Sequence, residues 1–143
     1  MIRNLVLLAV APLLCCAAES CPWINAGTAG GILGGAVASK VIRQNCEFKH
    51  HGGETLIIDV ETMADPRTQF TKYLSDCKSK PVPLKAIGNE AVTCSAKHAG
   101  LAIGRVRDRA FVIRVTANDH GATKEALESK AEEAARHVAG NLF

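Results

Sequence analysis

His50, His51, His98, His120 and His137 are the side chains of this sequence best suited to hold a transition metal. Four of the five stand in segments that read as turns. His98 and His120 each follow the end of a strand, and those two strand ends belong at the same end of a sheet. If the His50-His51 hairpin points the same way, three or four imidazoles gather around a Zn²⁺ or Cu²⁺. The simpler reading of His50, His51, His98 and His120 is a set of solvated turn residues. The arginines of GRVRDRAFVIR offer a second chemistry. Arg105, Arg107 and Arg114 form a candidate anion contact, because a guanidinium grips carboxylates and phosphates with two parallel hydrogen bonds. The competing reading is cross-strand pairing with Asp59, Glu61 or Asp108.

Catalytic patterns are scarce. Ser75-Asp76-Cys77-Lys78 has the S-x-x-K spacing of penicillin-binding enzymes, but it falls at a helix end and lacks the companion S-D-N and K-T-G motifs. G-x-S-x-G is absent. Glu90, in IGNEA, is the one carboxylate beside a sharp Gly-Asn turn in an apolar context, and it reads more simply as a turn residue. The glycine run GTAGGILGGAV (27–37) fails both phosphate-loop patterns. Ala29 stands where G-x-G-x-x-G needs glycine, and Ala36 where a Walker loop needs lysine. Gly27, Gly31 and Gly35 form a double G-x-x-x-G, a helix-contact pattern in bilayers. The apolar stretch around it ends at Ser39-Lys40, well short of the roughly 20 residues that span a membrane. The expectation is therefore no catalytic residue and no cofactor, and a glycine-thinned helix lying close to a sheet.

The elements that position these residues follow from periodicity. Asn25 caps a short helix over about 25–33, which Gly34-Gly35 stops. Strands are expected at 46–51 and at 55–62, where Leu56, Ile58 and Val60 alternate with Asp59 and Glu61. Asp65 and Pro66 open a second helix with Phe70, Tyr73, Leu74 and Cys77 on one stripe, closed by Lys78, Lys80 and Pro81. Residues 81–91 read as an extended connector. Strands at 91–96, 101–107 and 110–117 follow, then an amphipathic helix over about 123–140 with Leu127, Ala131, Ala134 and Val138 inward. The order is α-β-β-α-β-β-β-α. The class is α+β, with a mostly antiparallel sheet of about five strands packed by three helices.

The N-terminus reads as a targeting segment. Arg3 precedes an apolar core, Leu5 to Leu14, and Ala18-Glu19-Ser20 fits a signal-peptidase cut before Cys21. Lipidation is the rival: Cys15 and Cys16 have poor contexts for it, and Cys21 follows an acceptable Ser20 but has the unfavourable Glu19 one residue further back. Residues 1–20 hold one basic and one acidic residue; removing them leaves 123 of 143 residues, one domain (21–143), with net charge still +3. That charge is mild, and the chain has one Trp, one Tyr and four Phe, so a nucleic-acid platform is not expected. Nor is a transmembrane segment in the mature chain. Cys21, Cys46, Cys77 and Cys94 then remain, an even number in an exported chain, which reads as two disulfides. Four cysteines allow three connectivities; nearness in sequence suggests Cys21–Cys46 and Cys77–Cys94.

Cys21, Ile24, Asn25, Ala29, Leu33-Gly34, Cys46, Phe48, Ile87-Gly88 and Glu90-Ala91 together resemble a set of small exported bacterial proteins, the actinobacterial lipoprotein domain of unknown function. The resemblance covers most of the mature chain. It implies the Cys21–Cys46 pairing and supplies no activity. The poor lipid-attachment context departs from the lipoprotein members, and the Cys77/Cys94 pair is an addition to the pattern. The functional expectation is an extracytoplasmic (periplasmic or secreted), non-enzymatic module that binds a protein or small ligand of the envelope. The alternatives are an inhibitor of a secreted or envelope hydrolase and a small metal-binding protein using the turn histidines.

Overall fold

The computed structural model describes residues 19–118 and 121–143. His120 and all but the last two residues of the expected leader lie outside them. The chain runs α1 (Ala26–Leu33), β1 (Val37–Ile42), β2 (Asn45–His50), β3 (Thr55–Thr62), α2 (Pro66–Leu74), β4 (Val82–Pro83), β5 (Glu90–Ala96), β6 (Ala99–Val106), β7 (Arg109–Thr116) and α3 (Lys124–Asn141). All seven strands join one antiparallel sheet in the order β1-β2-β3-β7-β6-β5-β4. The fold is α+β with three helices. The sheet gains two strands over the five expected, β1 and β4, one at each edge. Edge strands escape a periodicity reading because too little of them is buried: all of β4 is exposed, and in β1 only Val37 and Val41 pack partly on the core.

Alternation along the central strands feeds two cores. Leu56, Ile58 and Val60 of β3 join Phe48, Ile113 and Val115 beneath α1 and α3. Leu101, Ile103 and Val112 face the opposite way, beneath Phe70 of α2. The deepest helix–sheet contact is that of α3 on β6. There Gly100, Ala102 and Gly104 present almost no side chain, and Ala131, Ala134 and Ala135 of α3 are completely buried. A Cβ on Gly100 would meet the backbone of Leu127 and Glu128. Gly104 is covered by the ring of its cross-strand partner Phe111.

Helix α1 begins where the sequence places it. Asn25 accepts from the Thr28 amide at 2.8 Å. Gly34 ends it at φ 92°, and the amides of Gly34 and Gly35 both donate to the Gly30 carbonyl at 2.8 Å. The glycines do not all lie against the sheet as expected. Ala29, Ile32 and Leu33 take the buried face, while Gly27, Gly31 and Gly34 look outward into a shallow solvent trough. Only Gly30 and Gly35 are tight. A Cβ on Gly30 would sit 2.7 Å from the Gly35 carbonyl oxygen, and one on Gly35 would sit 2.7 Å from Nε2 of His50. Gly31→Ala, with nothing within 4 Å of its Cβ, is therefore expected to raise stability by about 1 kcal/mol through helix propensity. Gly30→Ala is expected to lower it. Thermal unfolding of the two variants checks this; equal shifts would contradict it.

Two disulfides, Cys21–Cys46 and Cys77–Cys94, close loops of sequence separation 25 and 17. Cys77 packs with Phe70, Tyr73 and Leu74 as expected, but from a turn beyond α2 and not from within the helix. The helix ends at Leu74, and the amides of Ser75, Asp76 and Cys77 bond back three residues to Lys72, Tyr73 and Leu74, tightening the chain into a turn. That turn carries Cys77 to Cys94 in β5. The two disulfides mark an oxidising, extracytoplasmic environment. Among the described residues no helix is long and apolar enough to cross a membrane.

Candidate functional site

Strand β1 is the outer edge of the sheet for six residues, with unbroken register from Val37↔His50 to Ile42↔Asn45. The two-residue loop Arg43-Gln44 makes Ile42–Asn45 a hydrogen-bonded pair, followed by Lys40–Glu47 and Ala38–Lys49. Val37, Ser39 and Val41 then turn their N–H and C=O groups outward. Natural sheets blunt such edges with proline, bulges, charge or short length. The opposite edge, β4, is two residues long and includes Pro83. β1 has no proline and no bulge, and Lys40 is its only charge.

Beside this edge lies an uncovered part of the sheet. α2 packs over β6 and β7, so the same face of β1, β2 and β3 stays open. Lys40, Ile42, Asn45, Glu47, Ile57 and Asp59 line a trough of about 210 Å³ there. Ile42 is 56% exposed. Glu47 is the cross-strand neighbour of Lys40, yet it pairs with Lys49 at 3.0 Å. Lys40 is in no ion pair among the described residues. At the inner end of the trough, burial pushes the Asp59 carboxyl above its usual range, with Arg114 opposing and Glu61 reinforcing the shift. A carboxyl raised in this way favours the fold below the unfolded value near 3.8 and loses that contribution as pH rises through its folded value. At neutral pH the ionised Asp59 is a cost that this face carries. Tyr73 reaches over from α2, its hydroxyl buried near Glu61 and Asp59. Burial, and the nearby Glu61 and Asp59 carboxylates, push its pKa up to about 12.

The residues singled out from sequence are distributed as follows. His50 and His51 sit at the tip of the β2–β3 hairpin, ring centroids 4.5 Å apart. His50 accepts from the Gly52 amide at 3.3 Å through Nδ1 and packs on Gly35. His98 occupies the β5–β6 turn at φ 57°. The register puts this turn at the same end of the sheet as His50, but three strand spacings away, roughly 14 Å. Among the described residues no group of three His, Cys, Asp or Glu side chains is arranged to hold a metal. The arginines separate as well. Arg105 pairs with Glu90 at 2.8 Å, Arg114 with Asp76 at 3.3 Å, and Arg107, at φ 54° in the β6–β7 turn, lies over the ring of Phe143. Leu101, the cross-strand neighbour of Arg114, is four residues along β6 from Arg105, roughly 13 Å. Glu90 thus has an arginine beside it, while His98 is at the far end of the β5–β6 hairpin.

Cys21 is joined to Cys46. The β1 edge escaped the sequence reading altogether. Its one signal was Val37, Val41 and Ile42 interrupted by Ser39 and Lys40, directly after the Gly34-Gly35 stop. Comparison with protein families, characterised proteins and solved structures finds no match to this chain.

Proposed function

We propose that this chain is a non-enzymatic interaction module, exported through the leader at residues 1–20 and unlipidated at Cys21, that takes an extended segment of a partner protein onto β1. The observation that carries the reading is the long, regular, nearly uncharged edge of β1 beside an open trough. Strand addition supplies affinity through main-chain hydrogen bonds and specificity through alternate side chains. An added strand faces Ala38, Lys40 and Ile42 on its trough side, so the fitting partner brings an acidic residue against Lys40 and an apolar one against Ile42. A second copy of this chain fits less well, because VASKVI holds no acid to meet Lys40. The Cys21–Cys46 bridge also agrees with the resemblance to the actinobacterial lipoprotein domain, and we read the chain as a relative of that group.

Ser39→Pro tests the reading. It removes an outward N–H and leaves the β1–β2 ladder intact, a substitution edge strands accept. With the exported chain as bait in an envelope extract, Ser39→Pro is expected to lose the specific partner while melting as the parent does. A partner retained by Ser39→Pro, or self-association through β1, contradicts the proposal.

A further inference from the structure

At the end of the sheet away from Trp23, three lysines from three different segments surround one cleft. Lys78 follows α2, Lys97 stands in the β5–β6 turn beside His98, and Lys124 opens α3. The cleft has a volume of about 440 Å³, and the hydroxyl-bearing Ser79 and Ser95 complete its wall. None of the ion pairs among the described residues involves Lys78, Lys97 or Lys124. Among the described residues that line the cleft none is a carboxylate, so its wall carries positive charge that a bound anion would complement.

The wall is held firmly. The Ser95 carbonyl accepts from the amides of Lys78 at 2.7 Å and Ser79 at 3.3 Å. The Ser95 amide donates to Oγ of Ser79 at 2.8 Å. One residue back along each segment, Cys77–Cys94 joins the same two stretches covalently. Lys124 is placed by the close seating of α3 on β6, where Gly100 lets the backbones of Leu127 and Glu128 come near. The charges are therefore presented from fixed backbone, and only the lysine side chains must order on binding.

From this arrangement we infer a binding site for a multiply charged anion of the phosphate class, distinct from the β1 edge. Lysine ammoniums act as point charges that suit tetrahedral phosphate oxygens, whereas planar carboxylates favour the arginine fork; no arginine lines the cleft. The volume exceeds what a single phosphate fills and falls within the range of small-molecule sites. A ligand with two adjacent phosphates, free in solution or carried by a lipid headgroup, satisfies all three lysines.

The test is a calorimetric titration of the protein with inorganic pyrophosphate at low salt, with amide chemical shifts followed in parallel. Saturable binding is expected, with shifts centred on Ser79, Ser95 and His98, and with affinity that falls as salt rises. The double variant K97Q/K124Q is expected to bind roughly tenfold or more weakly with an unchanged melting temperature. Sedimentation with phosphatidylglycerol vesicles separates the sources. Vesicle binding that pyrophosphate displaces assigns a headgroup, and its absence assigns a soluble ligand. No saturable pyrophosphate binding, shifts centred elsewhere, or vesicle binding without pyrophosphate binding overturns the inference.

Discussion

Gly100→Ala is expected to destabilise the protein by about 3 kcal/mol or more, at the upper end of what overpacking costs. The added Cβ meets the carbonyl of Leu127 and the nitrogen of Glu128. Both are backbone atoms within a helix, so no side-chain rotation relieves the contact. α3 would have to lift from β6 along its first turns, which would loosen the buried Leu127 and Ala131 as well. For a domain of this size the melting midpoint should fall by roughly 10 °C. Thermal unfolding followed by circular dichroism reads the effect, with Gly31→Ala, expected to move the other way, as its control. An unchanged midpoint for Gly100→Ala would mean that α3 does not rest on β6 as described.

Removing the Cys21–Cys46 bridge has the next largest expected effect. Its sequence separation of 25 corresponds to about 3.5 kcal/mol of chain entropy withheld from the unfolded state, on the loop-closure account. The bridge encloses α1 and β1 entirely, the two elements with least support of their own. α1 has eight residues, three of them glycine, and β1 is paired on one side only. Other ties are modest: the Trp23 indole donates to the Gln44 carbonyl at 2.7 Å, and Asn141 donates to the Trp23 carbonyl at 2.6 Å. The pair Cys21→Ala, Cys46→Ala should therefore melt far earlier than the parent, and the amides of β1 should exchange with solvent before those of β6 and β7. Equal melting midpoints, or uniform exchange across the sheet, would contradict this. Loosening β1 would also weaken strand addition, so the staple supports the proposed interface as well as the fold.

The interior was legible in the sequence, and the edges and the site were not. Leu56, Ile58 and Val60 alternate because one face of β3 is buried, and Asp65-Pro66 opens α2 because its capping chemistry is local: Asp65 accepts from the amides of Arg67 and Thr68. β1 left little such trace, since Val37 and Val41 are its only half-buried residues and the exposed Ser39 stands between them. Gly100 and Gly104 look like weak points of a strand until α3 and Phe111 are seen to occupy the space their side chains would fill. The lysine cleft is invisible for a different reason. Lys78, Lys97 and Lys124 are far apart along the chain, and the disulfide, the hairpin and the α3 seat bring them together. The arginines, close in sequence, were drawn to different partners, because Arg105 and Arg114 stand four residues apart along one face of the β6–β7 hairpin and a turn redirects Arg107.

The most direct measurement of the central claim is amide hydrogen exchange of this chain with its captured partner bound. The amides of Val37, Ser39 and Val41, outward-facing and without a strand partner among the described residues, should become protected together, with Ala38 and Lys40 little changed because β2 already pairs them. Protection confined to α1, α2 or the β6–β7 turn, with those three amides exchanging as freely as before, would contradict the account.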